Sequence, residues 1–139
     1  MKILVVDDSP EDRLLAITYL SKAELKDKID ITESPNLTEG MAQVKTVKFD
    51  AIFLDLALPE TKGLDTIKTM LNCLEQQNKE IPVIVLTGNE DYKLGREALD
   101  LGCFAFLIKG EAKKKEIERT LNYATYNNAL PKRFSFFRK

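Results

Sequence analysis

Five polar residues follow directly on apolar runs: Asp7 and Asp8 after "ILVV", Asp55 after "AIFL", Thr87 after "VIVL" and Lys109 after "FAFLI". A buried, unpaired carboxylate is expensive, so an aspartate that ends an apolar run must reach solvent, a cation or hydrogen-bond donors. Three carboxylates drawn to one place repel one another, and the remedies are protonation or a hard divalent cation with oxygen ligands. Mg2+ suits such a set, since it takes one or two carboxylates, a carbonyl and several waters and leaves room for a phosphate oxygen. Lys109 would offer a point charge to the same phosphate, and Thr87 a hydrogen bond. A carboxylate at Asp55 attacking phosphorus gives an acyl phosphate, with catalysis reduced to positioning and neutralisation of oxygen charge.

That chemistry requires elements that bring the five residues together. Four apolar runs, 3–6, 51–54, 83–86 and 104–108, are rich in branched or aromatic residues and read as strands buried on both faces. A fifth, "IDIT" at 29–32, alternates apolar and polar as a partly exposed edge strand does. Between the runs the period is helical: Leu37, Met41 and Val44; Leu64, Ile67, Leu71 and Leu74; Leu94, Ala98 and Leu101; Ile117, Leu121 and Ala124. The first helix has a start signal in Ser9 as cap, Pro10 in the first turn and Asp12 as a capping-box acid, and is expected to run to about Leu25. Strand and helix alternating five times imply parallel pairing with right-handed crossovers, hence a doubly wound α/β sandwich. Ligands of such folds bind beyond the carboxyl ends of the strands, where all five residues fall.

Composition narrows the functions further. The 139 residues make one domain's worth of chain, and 21 Lys plus Arg against 22 Asp plus Glu argue against a generic polyanion binder. With no histidine, the usual Ser-His-Asp and Cys-His nucleophiles are excluded, as is a phosphohistidine of the chain's own. Cys73 and Cys103 have no metal-binding spacing and are expected to be reduced thiols. The apolar run at the N-terminus is too short for a signal peptide or membrane span, so a cytoplasmic location is expected. "KKKEIER" reads as the solvated face of the last helix, and no DNA-reading module is recognisable. The sequence divides into a domain over 1–128 and a basic, aromatic tail over 129–139.

"VVDDS", "LDLALPETKGLD", "VLTG" and "AFLIKG", in that order, resemble the receiver domain of two-component response regulators, of the single-domain, chemotaxis-regulator-like kind, over roughly residues 2–126. The resemblance implies a flavodoxin-like (βα)5 sandwich with a five-stranded parallel sheet in the order 2-1-3-4-5. It implies that Asp55 accepts a phosphoryl group from a phosphohistidine on a sensor histidine kinase or histidine phosphotransfer protein. Asp8 would ligate Mg2+, or Mn2+ in its place, together with Asp7, Asp55 and the Ala57 backbone carbonyl. Thr87 and Lys109 would contact phosphoryl oxygens, and Phe106 would change rotamer with Thr87. The result would be a signalling switch acting on a separate downstream protein, not a turnover enzyme, with no direct DNA contact.

The chain departs from the family pattern at several points. Phe106 stands where tyrosine is frequent, and Lys109 is followed by Gly110 instead of proline, so the cis bond that commonly shapes that loop is not implied. Ala57 and Asn89 occupy the positions that modulate dephosphorylation, and neither is acidic. Other readings are a receiver belonging to a larger regulator, a metal-dependent phosphohydrolase and a flavodoxin-like cofactor carrier. The phosphohydrolase wants an Asp-x-Asp pair, whereas Asp55 is followed by Leu56 and Ala57, and a flavin phosphate would be repelled by "DDSPED".

Overall fold

A residue in a strand points to the face opposite its neighbours, so a strand covered on both sides must be apolar at every position. The computed structural model, which describes residues 1–25, 28–88 and 92–126, realises this in β1 (Lys2–Val6) from Ile3 onward and throughout β3 (Ala51–Leu54). Ile3 and Val5 of β1 and Ala51 and Phe53 of β3 enter one core layer, while Leu4, Val6, Ile52 and Leu54 enter the other. The first layer is completed by α1 (Pro10–Lys22) and α5 (Lys114–Thr125), the second by α2 (Leu37–Thr46), α3 (Leu64–Gln76) and α4 (Tyr92–Leu101). With β2 (Asp30–Ser34), β4 (Val83–Thr87) and β5 (Ala105–Ile108), the strands form one parallel sheet in the order β2-β1-β3-β4-β5. This is the flavodoxin-like α/β sandwich expected from the sequence.

Four local expectations need correction. β5 is not buried on both faces: Ala105 and Leu107 are buried, but Phe106 and Ile108 are only half-buried, because β5 is a sheet edge with a single neighbour. Helix α1 stops at Lys22, short of Leu25. There Ala23 turns to extended backbone, and the next amide, that of Glu24, donates to Glu118 Oε2 on α5 at 2.9 Å. Ser9 does cap α1, accepting from the Asp12 amide at 3.2 Å, but the Asp12 carboxylate points elsewhere. The alternating strand near 29–32 appears as β2 on the other edge, displaced to 30–34.

Asn89 and the tail over 129–139, with its boundary at 128, lie outside the described residues. Among those described, no helix is long and apolar enough to cross a membrane. Cys73 and Cys103 are free and buried, and burial pushes the Cys103 thiol up to about 12.

The segment linking β3 to α3 folds into a tight hairpin. Ala57 bridges Lys62, the Leu58 amide donates to the Thr61 carbonyl at 3.2 Å, and the Gly63 amide to the Leu56 carbonyl at 3.0 Å. Gly63 closes it with φ 62° and ψ −134°, a region open essentially to glycine. Gly63→Ala should therefore lower stability by about 1–3 kcal/mol in urea denaturation, while Gly88→Ala, whose added carbon meets nothing within 4 Å, should not destabilise. Equal midpoints for wild type and Gly63→Ala would show that the hairpin tolerates a side chain there.

Candidate functional site

The sheet itself delivers the acidic residues to one rim. One step past β1, the Asp7 amide donates to the Ser34 carbonyl at 3.1 Å; one step past β3, the Asp55 amide donates to the Val6 carbonyl at 2.9 Å. Neighbouring parallel strands thus end together, and carboxylate oxygens of Asp7, Asp8 and Asp55 lie within 4.8 Å of one another. Asp7 and Asp55 are buried, and Asp8 is exposed. Asp7 Oδ1 accepts from the Ser9 amide at 3.0 Å, and Asp55 Oδ1 from the Leu56 amide at 2.9 Å.

Lys109 crosses to these carboxylates from the end of β5. Its backbone amide donates to the Thr87 carbonyl at 2.7 Å, and Nζ lies 2.7 Å from Asp7 Oδ2, 2.9 Å from Asp12 Oδ2 and 3.4 Å from Asp55 Oδ2. Gly110, at φ 87°, lets the chain turn back immediately, with the Glu111 and Ala112 amides both donating to the Ile108 carbonyl. The described residues contain no cis peptide bond, so this turn is made with Lys109–Gly110 trans.

The electrostatics follow from burial and these contacts. Burial raises the pKa of Asp55; Lys109 pulls it down, Asp7 pushes it up again, and the net shift is upward. Burial works to lower the pKa of Lys109, but its hydrogen bonds to Asp7 and Asp12 and the charges of Asp55 and Asp7 outweigh this and raise it. One ammonium facing four carboxylates leaves the rim with surplus negative charge. Hard oxygen donors this close, one of them open to solvent, fit a small divalent cation.

Thr87, the last residue of β4, is buried. Strand alternation puts it on the face of Val83 and Val85, which border the α2–α4 layer. Phe106 pairs with Val85 and packs against the same layer, two positions back from the Thr87 and Ile108 pair. Its ring fills the space left by Gly95 on α4, where a methyl group would lie 3.1 Å from Cδ1. Ala57 is exposed in the hairpin beside Asp55.

Three participants escaped the sequence reading. Asp12, taken as a capping-box acid, instead binds Lys109; its place in the first turn of the helix that leaves the acidic rim was the available signal. Arg13, the next residue, donates from Nη1 to the Asp7 carbonyl at 2.6 Å and from Nε to Glu33 Oε1 at 3.2 Å, bracing β1 against β2. Glu60, at the hairpin tip, accepts from the Leu37 and Thr38 amides of α2, and no local pattern announces that contact.

Comparison with known proteins agrees with this geometry. The family model described as "Response regulator receiver domain" matches residues 3–122. The transcriptional regulatory protein KdpE of Staphylococcus aureus is 31% identical over 109 residues, which are 78% of this chain and 43% of that protein. The DNA-binding transcriptional activator EvgA of Escherichia coli K12 is 27% identical over 114 residues, 80% of this chain and 51% of that protein. The chain thus spans about half or less of the curated relatives it matches. Among solved structures, the receiver domain of a Francisella response regulator superposes with a TM-score of 0.71 at 27% identity, covering 90% of this chain and 96% of that one. A rim of aspartates and one lysine at the strand ends of a β2-β1-β3-β4-β5 sheet, together with the matched family model, shows that the chain belongs to the response regulator receiver domain family.

Proposed function

We propose that this receiver takes a phosphoryl group onto Asp55 and thereby switches a protein-binding surface. The observation that carries the reading is the approach of Asp55 to Asp7, Asp8 and Lys109 within one shallow rim, with Lys109 Nζ 3.4 Å from Asp55 Oδ2. An oxygen of the ionised Asp55 attacks phosphorus; the bond from phosphorus to the donor's imidazole nitrogen breaks, and its electron pair stays on that nitrogen. Asp7, Asp8, Asp55 and the Ala57 carbonyl would hold Mg2+, which when bound neutralises charge on the phosphoryl oxygens. Lys109 supplies a second positive charge to those oxygens, and Thr87 a hydroxyl donor. The 139 residues contain no histidine, so the donor phosphohistidine lies outside them, on a histidine kinase or phosphotransfer protein.

The change then passes through the sheet. Thr87 and Phe106 occupy one face of adjacent strands, so movement of Thr87 toward a phosphoryl group frees volume for the Phe106 ring, and the surface of α4, β5 and α5 changes shape. With phenylalanine at 106, the ring offers that surface no hydroxyl. We further propose that the segment acts in the cytoplasm on protein partners. Any contact with DNA, which the Escherichia coli relative's name attributes to a protein about twice as long as the part matched here, belongs to a separate region.

Two measurements bear on the acceptor. Acetyl phosphate with Mg2+ should add one base-labile phosphoryl group to the wild type and none to Asp55→Asn; equal labelling of both refutes the assignment. Lys109→Ala should stay folded and still accept phosphate but lose phosphorylation-dependent partner binding, so normal switching in that variant removes Lys109 from the relay. Stability offers a third. Since burial raises the pKa of Asp55, the folded chain holds that proton more tightly than the unfolded one, and the ionised form subtracts from stability above the folded pKa. Without metal, Asp55→Asn should raise the urea midpoint at pH 7, a gain that shrinks as the pH falls through the folded pKa toward the ordinary value of 3.8. An unchanged or lower urea midpoint at pH 7 would contradict it.

A further inference from the structure

Helix α2 is held at both ends by side chains from the loops that flank α3. At its start the Asn36 side chain accepts from the Glu39 amide at 2.8 Å, which leaves the first two helical amides without an intrahelical acceptor. Glu60 supplies both: Oε1 accepts from Leu37 at 3.1 Å and Oε2 from Thr38 at 2.9 Å. At the other end, Lys79 Nζ donates to the carbonyls of Val44 and Val47. An anion at the amino end and a cation at the carboxyl end both suit the helix dipole. Burial of the Glu60 carboxylate works to raise its pKa, but the amides of Thr38 and Leu37 prevail and hold it below the ordinary glutamate value.

The two clamps differ in what lies behind them. Lys79 follows α3 on the way to β4, remote in sequence from the acidic rim. Glu60 is the tip of the hairpin whose base is Asp55 to Ala57. Two backbone hydrogen bonds and the Ala57 to Lys62 bridge close that hairpin, and Thr66 of α3 buttresses it by donating to the Leu56 carbonyl at 3.1 Å and pairing with Thr61 Oγ1 at 2.7 Å. A loop closed this way moves as a unit, so a displacement at Ala57 reaches Glu60 and, through two charge-assisted hydrogen bonds, the first turn of α2.

We propose that Glu60 is a positioning residue of the phosphoryl site: by fastening the hairpin tip to α2 it holds Ala57 in place for the metal, and it makes the first turn of α2 respond when the site is loaded. The inference rests on the Mg2+ and Asp55 reading and adds to it a second, α2-directed output distinct from Phe106.

The test is a titration of the 15N-labelled full chain, first with Mg2+ and then with beryllofluoride as phosphoryl mimic, following the amides of Leu37, Thr38, Leu56 and Lys109. In the wild type all four should shift with one half-saturation point. In Glu60→Ala, Leu56 and Lys109 should still shift, with the Mg2+ half-saturation raised about threefold or more, while Leu37 and Thr38 fall silent. Glu60→Gln, which keeps the length and one acceptor oxygen, should fall between, and serves alone if the alanine variant does not fold. Lys79→Ala, which loosens the other end of α2, should leave both the Mg2+ affinity and the Leu37 and Thr38 response as in the wild type. The proposal is overturned if Leu37 and Thr38 stay still in the wild type while Leu56 and Lys109 move, or if their response and the Mg2+ affinity survive in Glu60→Ala. It is equally overturned if Lys79→Ala reproduces the Glu60 effect, since α2 stability alone then explains it. Silence of all four amides in the wild type overturns the metal and phosphoryl reading itself, and the proposal with it.

Discussion

Two carboxylates, Asp7 and Asp55, are taken largely out of water side by side because the hydrogen bonds of the central strands end there together. Desolvation costs several kcal/mol for an ion, and like charges add to it; Lys109, reaching across from the edge strand to both, offsets part of that cost. Every other feature of the site accommodates this. Gly110 turns the chain away directly behind the lysine, Arg13 binds the Asp7 carbonyl, and the Ser9 and Leu56 amides take the carboxylate oxygens that face the backbone. The upward shift at Asp55 measures what these partners leave uncompensated.

The rest of the fold offsets that deficit through its packed core, although the Ser34 and Thr120 hydroxyls are buried without a hydrogen-bond partner. Both core layers are continuous, and the first-turn amides of α2 find side-chain acceptors in Asn36 and Glu60. Positive-φ glycines at 63 and 110 flank the carboxylate pair, whereas the other positive-φ residues among those described, Asn78 and Gly102, lie just after α3 and α4.

The sequence carried the central strands and the rim residues Asp7, Asp8, Asp55 and Lys109 plainly, because a strand covered on both faces is apolar throughout and must stop where its polar residue begins. It misled at β5, whose "FAFLI" has the composition of a covered strand; which strand lies at an edge is decided by pairing, and composition does not record pairing. Residue spacing also could not tell the two uses of Asp12 apart, since a capping acid and a partner for Lys109 occupy the same place in the first turn. The choice depends on an ammonium 97 residues away. Glu60 was illegible for a similar reason, the amides that donate to it lying 22 and 23 residues back across a strand and a helix. The shared face of Thr87 and Phe106 follows from strand register, whereas the sequence suggested their partnership only through family resemblance.

Lys109 is now nearer to Asp7 and Asp12 than to Asp55. A phosphoryl group carries about −1.5 to −2 charges and three acceptor oxygens, so on the proposed chemistry its arrival at Asp55 would reverse that order of attraction. Asp7 is fixed by its backbone contacts and by burial, whereas Asp12 sits half in solvent on α1 and can be released at little cost. The same charge would therefore be felt in three directions: by Thr87 and Phe106 toward α4, by the hairpin and Glu60 toward α2, and by Lys109 and Asp12 toward α1. One group modified at the meeting point of the central strands would reach surfaces on both sides of the sheet because its surroundings lead to both, Lys109 and Asp12 to α1, Thr87 and Glu60 to the α2–α4 layer.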